Sequence, residues 1–275
     1  MLEQMFLKHT TAIISGGASG LGAAAAKYIV NNGGRAIVGD LGHQLDAFHD
    51  SVMELKGFQE GRMKLCTMDV TKEEQIELAL DEAANSFGEE INTCVACAGV
   101  APGRKILSKS KNTSAEMRVH SLDEFSNTLQ VNATGAFNLA RLSAARIASR
   151  PIVNQAVNET RGVIVLTASI AAFEGQVGQI AYSASKGAVV GMILPMARDL
   201  ASFNIRVMGI APGLFRTPLM EGLPLKVQQE LGASVPFPSR LGNPEEFAQL
   251  VGHIIQNNML NGEVIRLDGA LRMPP

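Results

Sequence analysis

The chain has 275 residues, 46% of them hydrophobic, with a formal charge of −2 near neutrality. That length buries a full core without disulfides or metal, and the near-neutral balance argues against a mainly nucleic-acid-binding protein. No uninterrupted apolar run reaches the roughly 18 to 20 residues of a membrane span, and the first ten residues are too short and mixed for a cleaved signal. An intracellular protein is expected, with the compartment left open.

In chain order, strand-like runs fall at Ala12–Ile14, Arg35–Gly39, Met63–Cys66, Thr93–Cys97, Gly162–Ala168, Ile205–Ile210 and Val264–Leu267. Several are continuously apolar, as when helices cover both faces of a sheet. Helix-like segments lie near 21–32, 44–56, 72–87, 121–149, 181–202 and 244–257. Thr71 with Glu74 predicts a capping box, and Asn243-Pro244 a cap with proline in the first turn. Pro195 predicts a kink within its helix. The alternation predicts an α/β fold: a Rossmann-type doubly wound parallel sheet of about seven strands. No linker or repeat divides the chain, so residues 1–275 read as a single domain.

Two segments break the alternation. Residues 99–121 carry Arg104, Lys105, Lys109, Lys111 and Arg118 against Glu116, and residues 214–241 hold Pro218, Pro224, Pro236 and Pro238 among Leu, Met and Phe. Both follow strands and should project from the carboxyl edge of the sheet, where such folds bind ligands. The second reads as a substrate lid. Cys94 and Cys97 form a Cys-x-x-Cys, but on a strand positions three apart face opposite sides. Cys66, His43, His49 and His120 add no matched pair for zinc. Core cysteines and no metal site are expected.

Ser15-Gly16-Gly17-Ala18-Ser19-Gly20-Leu21-Gly22 follows the first strand and opens the first helix. Glycines there let the backbone approach a pyrophosphate, which the helix N-terminus attracts. Asp40 ends the second strand, where an acid meets the adenosine ribose hydroxyls and repels a 2′-phosphate; Leu41 supplies no compensating cation. The cofactor expected is NAD rather than NADP. Asp69-Val70 could bracket the adenine, although Asp69 reads equally as a loop or cap residue. Tyr182 and Lys186 are four apart on a helix-like stretch, so phenol and ammonium share one face. Ser169 closes the strand-like run just upstream. A phenol is a poor base near neutrality, and a neighbouring ammonium favours its ionised form.

These residues resemble the short-chain dehydrogenases/reductases. Gly16, Gly20 and Gly22 match that family's nucleotide loop, Cys97-Ala98-Gly99 its fourth-strand motif, and Asn132, Ser169, Tyr182 and Lys186 its catalytic tetrad. Pro212-Gly213 matches the motif after its sixth strand. Ser15 stands where threonine is usual, and Ala96-Cys97 where two asparagines are. The resemblance implies that Tyr182 transfers the proton, Ser169 holds the substrate oxygen, Lys186 anchors the nicotinamide ribose, and Asn132 supports a water-mediated proton path to the lysine. It places Ser15, Gly16, Ser19, Gly20, Leu21, Gly22, Cys97, Gly99, Pro212, Gly213, Phe215 and Thr217 around the cofactor and Gln179 beside the substrate; Phe215 could instead only pack the lid.

Longer stretches, including Ala171–Gln179, Val235–Gly242 and Asn261–Ala270, are similar to family members that oxidise 3-hydroxyacyl-CoA thioesters with NAD. The likeness is weakest around 101–120 and 146–160. It implies reversible oxidation of a secondary alcohol, with a hydroxysteroid or other alcohol dehydrogenase as the alternative. Reduction of acyl-carrier-protein substrates is disfavoured by Asp40. It further implies a homotetramer in the mitochondrion, with the cytoplasm as alternative, and a structural part in a mitochondrial tRNA-processing assembly, to which the charge balance adds no support. For an acyl-CoA, the basic side chains of 99–121 form a candidate phosphate-steering patch, with a merely solvated loop as the alternative.

Overall fold

In the computed structural model, which describes residues 6–109, 117–151 and 160–275, strands and helices alternate as the apolar runs require. They are β1 (Thr11–Ser15), α1 (Gly20–Asn31), β2 (Arg35–Asp40), α2 (Gly42–Val52), α3 (Lys56–Gln59), β3 (Met63–Thr67), α4 (Glu73–Phe87), β4 (Thr93–Ala96), β5 (Leu107–Lys109), β6 (Met117–Val119) and α5 (Leu122–Leu129). A π-helical turn (Gln130–Gly135) follows, then α6 (Ala136–Ser149), β7 (Gly162–Thr167), α7 (Ile180–Asp199), β8 (Ile205–Pro212), α8 (Pro218–Glu221), α9 (Leu225–Ala233), α10 (Pro244–Gln256) and β9 (Val264–Leu267).

Seven strands form one sheet in the order β3-β2-β1-β4-β7-β8-β9, and every pairing is parallel. The order reverses at β1, between β2 and β4. There Ser15 stands level with Gly39 on one side and Ala96 on the other, so three strands end together beneath one crevice. Ligands bind at such switch points.

Alternate strand residues supply two cores. Ile13, Ile37, Cys94 and Ile164 pack with Leu80 of α4, Leu139 of α6 and Val189 of α7. Ile14, Val38, Val95 and Val165 pack on the other face with Ile29 of α1 and Phe247 of α10. Each fully buried Ile or Leu contributes about 1.5–3 kcal/mol relative to exposure. Helix α7 is long and apolar enough on average to cross a membrane. It nevertheless buries Ala181, Val189, Ile193 and Ala197 against the protein, and the helix continues through Pro195 to Asp199.

Three local expectations change. The capping box at Thr71 does not form: α4 begins at Glu73 after Lys72, and the Thr71 hydroxyl and amide both donate to Asp69 Oδ1, at 2.8 and 2.9 Å. A short acidic side chain two residues back outcompetes the helix end for that threonine. The single helix expected near 121–149 is interrupted by the π-turn, with Asn132 inside it. The 99–121 segment holds a small antiparallel pair, β5 with β6, whose residues are all exposed. By contrast, Asn243 and Glu246 form the full capping box that Asn243-Pro244 announces.

Candidate active site

Above the crevice lies a cavity of about 1050 Å³, walled by the loops that follow β1, β2, β3, β4, β7 and β8. One end is made of backbone. Gly16 and Gly20 have φ of +61° and +50°, in the left-handed region that favours glycine. A Cβ on Gly16 would lie 2.7 Å from the Ala98 amide nitrogen, and one on Gly22 would collide with the Gly16 carbonyl oxygen. The first turn of α1 therefore sits hard against the loop. Ser19 is its N-cap residue and makes no side-chain capping bond, so the opening amides of α1 are not covered by their own cap. Such a cradle fits a pyrophosphate.

Asp40, at the end of β2, fixes this loop. Its Oδ2 accepts from the Ala18 amide at 3.0 Å and its Oδ1 from the Leu41 amide at 2.8 Å. A carboxylate has about four acceptor positions, so two remain for hydroxyl groups. Asp69 and Val70 line the cavity further along; the Asp69 carboxylate is engaged by Thr71. Ser19, Gly20, Leu21, Gly22, Cys97 and Gly99 also line the wall, whereas Ser15 does not. Ser15 is buried, and its hydroxyl accepts from the Ala98 amide at 3.3 Å, joining the end of β1 to the turn after β4.

At the other end, Ser169, Tyr182, Lys186 and Gln179 converge on the same cavity. Ser169 caps the 3₁₀ turn after β7, its Oγ accepting from the Ala171 amide at 3.1 Å. Tyr182 and Lys186 come from the first turns of α7. Lys186 is 5% exposed and donates to the Thr167 carbonyl at 2.7 Å. Its Nζ lies 5.8 Å from the Tyr182 ring centre. Burial lowers the Lys186 ammonium to about 8. Burial also pushes the Tyr182 phenol up, with a hydrogen bond from Ser169 acting in the opposite direction. In the protein alone the net shift of the phenol is thus upward, opposite to the lowering expected from Lys186, because burial dominates.

Asn132 sits just behind this wall, 1% exposed. Its Oδ1 accepts from the Val100 amide at 2.8 Å, and its Nδ2 donates to the Val100 carbonyl at 2.8 Å and to Ser185 Oγ at 2.9 Å. Ser185 Oγ in turn donates to the Tyr182 carbonyl at 2.7 Å. One amide thereby ties the π-turn to the loop after β4 and to the helix carrying Tyr182 and Lys186. A π-turn at such a position is a common mark of a functional site.

Cys97 and Cys94 face opposite cores and are free thiols, held up at about 11 and about 12 by burial. Cys97 contacts Thr167 Oγ1 at 3.3 Å. Among the described residues no three His, Cys, Asp or Glu side chains cluster around a point where a metal could sit.

The segment after β8 closes the remaining side. Pro212, Gly213, Phe215 and Thr217 all line the cavity. Thr217 leans on the nucleotide loop, since a Cβ on Gly20 would be 3.3 Å from its methyl group. Phe215 is 7% exposed and packs flush on Gly242. Leu214 and Met220, from the apolar 214–241 segment, line it too, as do Ile170 and, from the segment after β9, Met273, which carry no sequence signal. Their placement comes from tertiary contact alone.

A family model described as short chain dehydrogenase matches residues 10–228. The 3-hydroxyacyl-CoA dehydrogenase type-2 of Homo sapiens is 48% identical over 270 residues, covering 98% of this chain and 97% of the relative. That of Bos taurus is 47% identical over 269 residues, with the same coverage. A solved structure of 3-hydroxyacyl-CoA dehydrogenase type-2 from Mycobacterium avium is 35% identical, has a TM-score of 0.83 and covers 97% of both chains. With that match running through the glycine loop and the Ser169, Tyr182 and Lys186 constellation, the chain belongs to the short-chain dehydrogenase family.

Proposed function

We propose that the protein oxidises 3-hydroxyacyl-CoA to 3-oxoacyl-CoA, reversibly, with NAD as the hydride acceptor. The chain is an oxidoreductase of a family that uses NAD(P). The observation that carries the finer reading is that Ser169, Tyr182 and Lys186 meet where the dinucleotide crevice opens into an apolar chamber lined by Ile170, Leu214, Met220 and Met273. The relatives named above supply the substrate class.

The preference for NAD over NADP rests on Asp40. Two backbone amides hold its carboxylate in place, so its charge is fixed where a 2′-phosphate would lie. Asp40→Ala should relax the preference for NAD, measured as kcat/KM with each cofactor. Equal use of NADP by the unaltered protein would contradict this part of the reading.

Bound at the crevice, NAD would supply the hydride acceptor and its reduced form the donor. Tyr182 holds or accepts the proton at the substrate oxygen, and Ser169 donates a hydrogen bond to that oxygen as charge develops. Lys186 anchors a ribose hydroxyl and contributes positive field close to the phenol. Both Asn132 Nδ2 hydrogens are engaged by Val100 and Ser185, so the amide nitrogen serves any proton path to Lys186 by holding the π-turn backbone. Around them Gly16, Gly20, Gly22, Gly99, Pro212 and Gly213 give the cofactor backbone surface rather than side chains.

A hydroxysteroid substrate is the second reading, favoured by the apolar lid and chamber. For acyl-CoA, the basic segment supplies steering. Arg104 is partly engaged there, its Nε bonding Glu124 Oε1 at 3.1 Å, whereas Lys105 and Lys109 make no ion pair among the described residues. Lys111 lies outside the described residues. On the family resemblance we extend the reading to a homotetrameric, mitochondrial protein. Reduced-cofactor formation across acyl-CoA lengths and a steroid panel decides between substrates. Turnover of steroids alone would replace the first reading with the second.

A further inference from the structure

The segment after β9 has no helix or strand, yet its backbone is held at almost every residue. The Met273 amide donates to Glu174 Oε2 at 3.1 Å, and the Leu271 carbonyl accepts from Arg266 Nη2 at 2.9 Å. The Pro274 carbonyl accepts from Gln176 Nε2 at 3.2 Å. Glu174 takes Arg266 bidentately at 2.9 and 3.1 Å, and Arg272 at 3.3 Å. Arg266 and Arg272 both reach Asp268, at 2.8 and 3.3 Å. Two of the partners that hold this segment, Glu174 and Gln176, come from the loop that carries Ser169 at one end and Gln179 at the other. Gln176 is itself fixed to Gln179, its amide donating to Oε1 at 3.0 Å.

This anchoring places one side chain in the chamber. Met273 lines the cavity and packs in a small apolar cluster with Ile170, Leu214, Val235 and Leu271. Ile170 adjoins Ser169 and Leu214 opens the lid, so Met273 stands at the reacting end, remote from Asp40. Chain without secondary structure must satisfy its amides elsewhere. Here one carboxylate both satisfies the Met273 amide and binds the arginine of β9, which fixes where the thioether side chain enters.

We propose that Met273 is a specificity-determining residue that gauges the size of the substrate's apolar group, and that Glu174 is the positioning residue that holds it there. The inference rests on the dehydrogenase reading above for its substrate class. A flexible methionine fills a gap without rigid shape, so shortening or enlarging it should move the size limit rather than abolish turnover.

The test compares kcat/KM for 3-hydroxyacyl-CoA substrates of short and long chain in the full protein and in Met273→Ala and Met273→Phe. Met273→Ala should raise the long-to-short ratio by about tenfold, the scale of a methylene or two in an apolar pocket, and Met273→Phe should lower it. Glu174→Ala should flatten the ratio, and Glu174→Gln, which keeps an oxygen for the Met273 amide, should recover part of it. A ratio unchanged in both Met273 variants, with normal NADH binding, overturns the gauge. Equal loss at all chain lengths in Glu174→Ala, or a chain that fails to fold, removes Glu174 from the proposal and leaves the Met273 variants to decide it. The affinity of the NADH complex for 2-alkanones of increasing length, read by NADH fluorescence, gives the same ratio without acyl-CoA turnover. Loss of all acyl-CoA activity in the unaltered protein therefore contradicts the proposed function, while the alkanone series still tests Met273.

Discussion

The two ends of the cavity are built by different means. The nucleotide end is mainly backbone against backbone, Gly16 against Ala98 and Gly22 against Gly16, with the Asp40 carboxylate holding the Ala18 amide. The substrate end is assembled from side chains of segments about a hundred residues apart, as Glu174 and Met273 show. Close backbone packing tolerates no added atom, so it constrains residue type strongly. A side-chain wall tolerates many apolar residues of suitable size. One fold can thus keep a cofactor site and change its substrate.

The largest effect that would break this comparison is at the junction of the two ends. Tyr182→Phe removes the proposed proton-transfer group and keeps the ring, and kcat should fall by roughly two or more decades, the scale of general acid–base catalysis. NADH affinity, measured by fluorescence, should stay within a few-fold.

Next comes the backbone end. Gly22→Ala would press a methyl group into the Gly16 carbonyl, and overpacking of this kind costs about 1–3 kcal/mol. Denaturant melts and calorimetric NAD titration should show lost stability, lost affinity or both. An unchanged protein would show that the loop yields more easily than its geometry indicates.

A smaller, pH-dependent effect belongs to Lys186. Its folded value of about 8 lies below the usual 10.5, so the unfolded chain binds more protons between those limits. The burial penalty is therefore fully present below pH 8 and is relieved as pH rises toward 10.5. Relative to Lys186→Met, the unaltered protein should gain up to about 3 kcal/mol of stability between pH 7 and pH 10. Urea melts of both proteins check the sign. A gain by the variant instead would mean that the ammonium is stabilised by the fold.

The smallest effect expected is electrostatic steering. Neutralising Lys105 and Lys109 together should lower kcat/KM for an acyl-CoA about two- to threefold at low salt, with little change for a phosphate-free alcohol. The difference should shrink at high salt. Equal effects on both substrates would leave these lysines as solvated surface.

The same contrast explains what could be read from the chain. Continuous apolar runs such as Ile13-Ile14 and Val163–Leu166 announce strands covered on both faces, and the glycine spacing announces the loop beneath the cofactor. The π-turn at Asn132 was not legible, because its wider winding is stabilised by Val100 and Ser185, which only the folded chain brings near. Thr71 misled for a related reason: its hydroxyl had two local partners to choose from, and Asp69 prevailed. Met273 gave no signal at all. Nothing in its neighbours' types announces that a carboxylate 99 positions earlier in the chain will hold its amide.

The most direct measurement is reduced-cofactor formation with a 3-hydroxyacyl-CoA, NAD or NADP, and the unaltered protein beside Tyr182→Phe. The expected result is rapid NADH formation matched by 3-oxoacyl-CoA, little with NADP, and near-complete loss in the variant. Turnover that favours NADP, or that survives in Tyr182→Phe, would contradict the assignment of this site.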